Sequence, residues 1–361
     1  MRIAIVSDAW FPQINGVGRT LAATVAELDC RGFEVELITP QGFLTVPMPG
    51  YASIRLALAP RFGARRTLHR FAPDIVHIVT EGPIGWSARG WCLSRGVPFT
   101  SAFHTRFPDY AEVRTGISAE RFWPLMRCFH GPSGAVLVAT PSLARELAER
   151  GIEHARPWTR GIDNGLFHPR RDPHPALAAL PHPIMLNVGR VAAEKNLEAF
   201  LELPVAGSKV IVGDGPAMRS LRTRFPNAHF LGPLEGEELA SAYCGADCFV
   251  FPSRTDTFGL VLLEALACGL PLAAYPVAGP LDIVGAQGRG PEGELPRPIA
   301  ALDEDLANAI ARAVMLDRDD AADFSRRFTW QHATDLFVDA LSSTAARRLA
   351  DVVSDAVQSS R

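Results

Sequence analysis

The 361-residue chain predicts an α/β protein of two Rossmann-like, doubly wound domains joined by one linker. Three observations carry that expectation. Short apolar runs alternate with helix-length segments through the first half, the same plan starts again near residue 184, and a proline-rich stretch separates the two. The length exceeds what one ordinary core supports, and a hydrophobic fraction of 47% belongs to packed globules rather than disorder.

In the first half, strands are predicted over 3–7, 34–39, 75–79, 98–102 and 135–139, with a helix from about 18 to 31. The second half predicts strands over 184–188, 209–212, 229–231, 248–251 and 272–274, with helices between them. Short apolar runs of this kind suit parallel strands buried on both faces. The stretch His168-Pro169-Arg170-Arg171-Asp172-Pro173-His174-Pro175, with Pro181 and Pro183 beyond, is a linker by composition. The expected boundaries are an N-terminal domain over 1–167, the linker over 168–182, a C-terminal domain over 183–325 and a closing helix over 326–361. That helix opens with Phe328 and Trp330 and is expected to pack back on the first domain. Two such sheets should face each other across a cleft at the carboxyl ends of their strands, where folds of this class bind ligands.

Composition excludes several classes. The apolar stretch of Met1–Val6 is too short for a signal peptide, and every longer apolar run is interrupted before it reaches membrane-spanning length. The 6 cysteines lack paired metal-ligand spacing and point to reduced thiols in the cytoplasm; Cys244 and Cys248 are expected on one helix face. No nucleic-acid partner is expected. Residues 1–165 hold 18 Arg and no Lys against 14 acids, a net of +4, while the rest is net −7. The densest basic part is Arg55, Arg61, Arg65, Arg66, His69 and Arg70, interleaved with Phe62, Leu68 and Phe71. It reads either as a solvated face or as a surface that meets an anionic membrane.

The segment Thr255-Asp256-Thr257-Phe258-Gly259-Leu260-Val261-Leu262-Leu263-Glu264 sets two carboxylates eight positions apart around a Phe-Gly pair. Asp256 falls in a loop after a strand and Glu264 on the following helix, whose first amides can hold a phosphate. Glu264 is placed to accept hydrogen bonds from a sugar's paired hydroxyls, at the ligand-binding surface rather than in the core. Gly189-Arg190 with Glu194-Lys195-Asn196 follows the first strand of the second domain and offers two cations to a diphosphate. His104, beside Thr105 and Arg106, follows a buried strand and is a candidate for touching substrate. The loop with Asn15, Gly16 and Gly18 can approach a phosphate closely, yet Leu21 stands where a dinucleotide fingerprint needs glycine; Gly213-Asp214-Gly215 fails the same test at Met218. Asp317-Arg318-Asp319 has the spacing of a metal-binding pair but lies in a polar tail segment.

Taken together, these segments resemble the retaining glycosyltransferases of family four, which have the two-domain GT-B architecture. The resemblance rests on Asn15-Gly16-Val17, the His104 segment, Gly161-Ile162-Asp163, Gly189-Arg190, Glu194-Lys195-Asn196, Gly213-Asp214-Gly215-Pro216 and the acid-x7-acid element. It departs at Asp256, where the family usually has Glu. It implies that Arg190 and Lys195 hold the diphosphate, that Glu264 holds the ribose and that the amides of Phe258, Gly259 and Leu260 assist at the phosphates. Asp256 and His104 would contact the donor sugar near its anomeric carbon, with Gly16 and Gly18 also on the donor. The implied reaction is metal-independent and needs no cofactor. Phe107-Pro108-Asp109-Tyr110 and Asn15-Gly16-Val17 look most like the branch making mannosyl or other glycosyl lipids. That branch implies GDP-mannose or a UDP-sugar as donor, a lipid or glycan acceptor and work at the cytoplasmic face of a membrane. A soluble or polysaccharide acceptor, an epimerase or phosphorylase on the same architecture, and a catalytically silent scaffold remain alternatives at this point. A phosphorylase would need a pyridoxal-binding lysine, and Lys195 and Lys209 are the only two lysines.

Overall fold

The computed structural model describes residues 1–11, 16–48, 51–169, 172–256 and 258–359; Asn15, Arg170, Arg171 and Thr257 lie outside them. The chain forms two compact units, one of Met1–Gly161 with Trp330–Arg361 and the other of Ile162–Thr329. Residues 162–167 and 326–329, expected with the first domain and the closing helix, therefore belong to the second unit. The reason is local: the Ile162 amide donates to the Phe328 carbonyl (3.0 Å), which ties the two ends of that unit together.

The first unit runs β1 (Arg2–Val6), α1 (Gly16–Cys30), β2 (Glu34–Ile38), β3 (Thr45–Met48), β4 (Tyr51–Ala57), α2 (Pro60–Phe71), β5 (Ile75–Ile78) and α3 (Pro83–Arg95). It continues with β6 (Phe99–Phe103), α4 (Phe107–Thr115), α5 (Trp123–His130), β7 (Val136–Val138), α6 (Pro141–Glu149) and β8 (Ala155–Pro157). Among the described residues the main sheet has six parallel strands in the order β2-β1-β5-β6-β7-β8, and β3 and β4 form a separate antiparallel pair. The alternation of a strand explains how β1 serves two cores. Ile3 and Ile5 pack with Leu21, Leu28 and Ile75 on one face, while Ala4 and Val6 pack with Val76, Ile78, Ile84 and Trp91 on the other.

The second unit runs β9 (Ile184–Val188), α7 (Leu197–Leu201), β10 (Ser208–Val212), α8 (Met218–Arg224), β11 (His229–Gly232), α9 (Gly236–Cys244) and β12 (Cys248–Phe251). It ends with α10 (Leu260–Ala267), β13 (Leu272–Ala274), α11 (Ala278–Val284), β14 (Ala300–Leu302), α12 (Leu306–Ala313) and α13 (Arg318–Ser325). Its described strands are again parallel, in the order β11-β10-β9-β12-β13-β14. Cys244 ends α9 and Cys248 lies in β12, so the two do not share a helix face as the sequence suggested.

The last helix, α14 (Trp330–Ser359), belongs to the first unit, where Phe337 and Leu341 are fully buried beside Ile3, Leu21 and Trp158. Each such side chain contributes about 1.5–3 kcal/mol by leaving water. No helix among the described residues is long and apolar enough to cross a membrane.

Candidate active site

In open α/β sheets the ligand crevice lies at the carboxyl ends of the strands where the strand order reverses, and in the second unit that point falls between β9 and β12. The loop after β9 carries Arg190, Glu194, Lys195 and Asn196; the loop after β12 carries Pro252 to Asp256. The structure stitches these loops together. Lys195 Nζ donates to Asp256 Oδ1 at 2.5 Å, with both side chains largely buried. Asn196 takes a left-handed backbone (φ 53°) and its Nδ2 donates to the Pro252 carbonyl at 3.1 Å. The hydroxyls of Ser253 and Thr255 reach the Glu194 carbonyl at 3.4 and 3.5 Å. Asp256 Oδ2 is buried and has no partner among the described residues. Arg190 is half-buried on the same loop.

Two glycines that failed as a nucleotide fingerprint explain this loop's position. A Cβ on Gly213 would lie 1.9 Å from the Gly189 carbonyl oxygen, and one on Gly215 2.3 Å from that of Val191. Backbone presses on backbone there, so the end of β10 sets the height of the Arg190 loop.

The acid-x7-acid element divides as the sequence indicated, with Asp256 in the loop and Glu264 on α10. Gly259 turns into α10 with φ 92°, Phe258 is buried, and Leu260 opens the first turn, whose amides lack intrahelical partners. Glu264 requires a correction: it was expected at the surface, yet it is 1% exposed, and its Oε2 accepts from Tyr243 Oη at 2.8 Å. α10 is apolar nearly all round (Leu260, Val261, Leu262, Leu263, Ala265, Leu266, Ala267), and such a helix lies in a core. Asp317 caps α13 by accepting from the Asp319 amide and pairs with Arg297, which accounts for that acidic string structurally.

The first unit reverses strand order between β1 and β5. There the crevice is filled by the protein itself. Asp8, just past β1, accepts from the amides of Ile84 (2.9 Å) and Gly85 (3.1 Å) in the first turn of α3 and from the Thr80 hydroxyl (3.0 Å). Gly82 leaves room for it, since a Cβ there would lie 2.3 Å from Asp8 Cγ. Burial pushes the Asp8 carboxyl up, against the pull of those backbone donors. Gly16 and Gly18 lie in the first turn of α1, where the Thr20 hydroxyl donates to the Gly16 carbonyl and Gly18 is buried.

His104 follows β6, as expected, and sits in a buried cluster that the sequence did not announce. Arg160, 5% exposed just after β8, donates from Nη2 to His104 Nδ1 at 2.9 Å and from Nη1 to the carbonyls of Trp158 (2.5 Å) and Thr159 (3.3 Å). Its guanidinium also lies 4.7 Å over the Trp158 ring. His77, in β5, bonds Thr100 Oγ1 through Nδ1 at 2.8 Å and meets Trp158 and Phe337 edge-on. Burial holds both imidazoles down, His77 to about 3 and His104 well below the ordinary histidine range, with the Arg160 charge acting in the same direction. Burial also lowers Arg160, to about 9. Arg160 stands next to the Gly161-Ile162-Asp163 string, yet its partner is 56 residues away and no local pattern points to it.

The basic surface of α2 also differs from expectation. Leu68 is fully buried and Phe71 lies under Arg2, so neither interleaves the exposed charges. Phe62, 83% exposed, does, and it is joined by Leu44 and Leu58, whose backbones are linked by an amide-to-carbonyl bond of 2.8 Å.

Two units of parallel sheet in this strand order are those of the GT-B architecture. The solved structure of sucrose-phosphate synthase from Thermosynechococcus elongatus superposes with a TM-score of 0.72 over 96% of this chain and 99% of that one, at 21% identity. The family description Glycosyltransferase Family 4 matches residues 14–165, and that of Glycosyl transferases group 1 matches 182–315. A GDP-mannose-dependent alpha-mannosyltransferase of Mycolicibacterium smegmatis is 32% identical over 308 residues, covering 79% of this chain and 82% of that one. Sulfoquinovosyl transferase SQD2 of Arabidopsis thaliana is 31% identical, covering 92% and 72%. Alpha-monoglucosyldiacylglycerol synthase of Streptococcus pneumoniae is 26% identical, covering 76% and 71%. The chain belongs to glycosyltransferase family 4. It is an enzyme that transfers a glycosyl group, which removes the silent-scaffold reading.

Proposed function

We propose that the enzyme moves a mannosyl group from GDP-mannose to a hydroxyl of a membrane lipid or glycolipid, with retention at the anomeric carbon and without a metal ion. The observation that carries the reading is the Lys195–Asp256 pair bridging the crevice between β9 and β12. Lys195 and Arg190 are placed to receive a diphosphate there, and Asp256 keeps its second oxygen available for a sugar hydroxyl. The first-turn amides of α10 at Phe258, Gly259 and Leu260 would add to the phosphate contacts. Glu264 would hold the ribose. His104 would contact the sugar.

Retention through a covalent intermediate would use two carboxylates spaced as in retaining glycosidases. The mechanism favoured here is same-face attack instead. The acceptor oxygen bonds to the anomeric carbon as the bond to the diphosphate breaks, and the hydroxyl proton passes to the leaving phosphate. Arg190 and Lys195 stabilise the charge that develops on that phosphate, so catalysis is positioning plus electrostatics.

The donor choice is supported by relatives named as GDP-mannose-dependent. The lipid acceptor is supported by the diacylglycerol enzyme among the relatives and by the exposed apolar group Leu44, Leu58 and Phe62 beside Arg61 and Arg66. Each basic side chain near an anionic leaflet adds about 1 kcal/mol, weakened by salt.

The test supplies radiolabelled GDP-mannose, in excess chelator, with phosphatidylglycerol vesicles carrying diacylglycerol and phosphatidylinositol, and separately with soluble mannosides. Label entering the organic phase, with salt reducing both transfer and co-sedimentation, is the expected result. Transfer only to soluble mannosides, or only from UDP-sugars, overturns the lipid or the donor assignment respectively. Activity restored by magnesium after chelation overturns the metal-independent one.

A further inference from the structure

Arg160 has no carboxylate ion partner among the described residues, yet it is nearly inaccessible to solvent. Burying a cation this deeply is costly unless its donors are engaged. Here they are spent on two carbonyls of its own segment and on one nitrogen of His104. A guanidinium has only donors, so the nitrogen it meets must present a lone pair. Nδ1 is therefore unprotonated, and the single proton of a neutral imidazole resides on Nε2.

We infer that Arg160 is a positioning residue that locks His104 as a neutral Nε2–H tautomer, making it a fixed hydrogen-bond donor to an oxygen of the donor sugar and not an acid, a base or a cation. The inference rests on the reading that His104 contacts the sugar. A nearby positive charge opposes protonation of the ring, and a second imidazole, His77, which also packs on Trp158, acts in the same direction. Trp158 contacts all three groups: its ring lies 5.4 Å from His104 and 5.6 Å from His77, and its carbonyl accepts from Arg160. α14 adds Phe337, whose ring centroid is 5.1 Å from that of Trp158. The groups packed around His104 thus include a cation and a second imidazole, and burial adds to them in favouring the uncharged ring. A protonated imidazole beside the sugar would oppose the positive charge that grows at the anomeric carbon; a neutral donor avoids this.

Two measurements separate this inference from the reading beneath it. In the full-length chain labelled with nitrogen-15 histidine, the His104 resonances should show a protonated Nε2 and an unprotonated Nδ1, unchanged from pH 8 to pH 5.5. An Nδ1–H tautomer, or titration near pH 6.5, overturns the inference whatever His104 touches. In a double-mutant cycle, Arg160→Met should lower kcat about ten- to a hundred-fold, the range for residues that orient a functional group, with little change in KM for the donor. Arg160→Lys, which keeps a cation and donors, should recover most of it. In the His104→Gln background, where an amide N–H replaces Nε2–H, Arg160→Met should cost little further. Additive losses overturn the inference. If His104→Gln alone turns over normally, the sugar-contact reading fails while the tautomer measurement still stands. If Arg160→Met does not fold, the wild-type resonances and Arg160→Lys decide.

Discussion

The two units place the same crevice, at a reversal of strand order, at the carboxyl ends of two parallel sheets, and they treat it in opposite ways. In the first unit Asp8 occupies it, satisfying the first turn of α3 with the protein's own carboxylate. In the second unit a lysine and an aspartate span it, each keeping donor or acceptor capacity for a ligand. A helix N-terminus already holding an anion has little to offer a diphosphate; one flanked by Arg190 and Lys195 has much. One topology thus carries a crevice closed by the protein's own carboxylate and the crevice proposed here to bind the donor, and the difference rests on a few side chains.

The largest expected effect concerns the second crevice. Lys195→Ala should lower kcat/KM by about a hundred-fold or more, the cost of removing one preorganised stabiliser of developing charge, while the thermal midpoint moves only a few degrees. Steady-state kinetics beside circular dichroism checks both, and near-normal turnover in a folded variant would break the contrast.

A smaller effect is expected at the first crevice, and of another kind. Asp8→Ala strands the amides of Ile84 and Gly85 and should cost about 1–3 kcal/mol of stability. Binding of GDP, measured by calorimetry below the unfolding transition, should weaken far less than in Lys195→Ala. Equal weakening in the two variants would mean that both crevices serve the donor directly.

The smallest effect separates the histidines of the first unit from the ion pair of the second. His77 is neutral in the fold down to about pH 3 but takes a proton in the unfolded chain near 6.5. The unfolded state therefore binds more protons between those values, so stability is complete above about pH 6.5 and falls as pH drops. One such histidine contributes a slope of about 1.4 kcal/mol per pH unit. Urea titrations at pH 7.5, 6.5 and 5.5 should show this, and His77→Gln should reduce the slope by one histidine's share, leaving that of His104; an unchanged slope in the variant would assign the acid sensitivity elsewhere.

What the sequence disclosed and what it hid divide along the range of the interactions. Ten parallel strands were legible because short apolar runs mark them, whereas β8 and β14, 3 residues each, did not stand out; the loops after β9 and β12 were legible because glycines and charges punctuate them. The β3–β4 pair was not, since Pro47 interrupts a segment that otherwise alternates like a strand. Asp8 and Arg160 were passed over because their partners lie 76 and 56 residues away. Glu264 was misplaced by weighing the acid above its seven apolar neighbours on α10.

The return of α14 to the first unit bears on how the enzyme is made. Segments that emerge early from the ribosome ordinarily fold early, at synthesis rates of about 5–20 residues per second. Here the first unit lacks Phe337 and Leu341 of its core until about 180 residues after Gly161 have been made, while Ile162–Thr329 is complete before α14 exists. The second unit is thus finished ahead of the unit that precedes it in the chain. For the roughly ten to thirty seconds between synthesis of Gly161 and arrival of Phe337 and Leu341, the nascent N-terminal sheet waits without that part of its core, an opening for chaperones and a window in which a premature stop codon near residue 330 would leave a mature second unit beside an N-terminal one lacking α14.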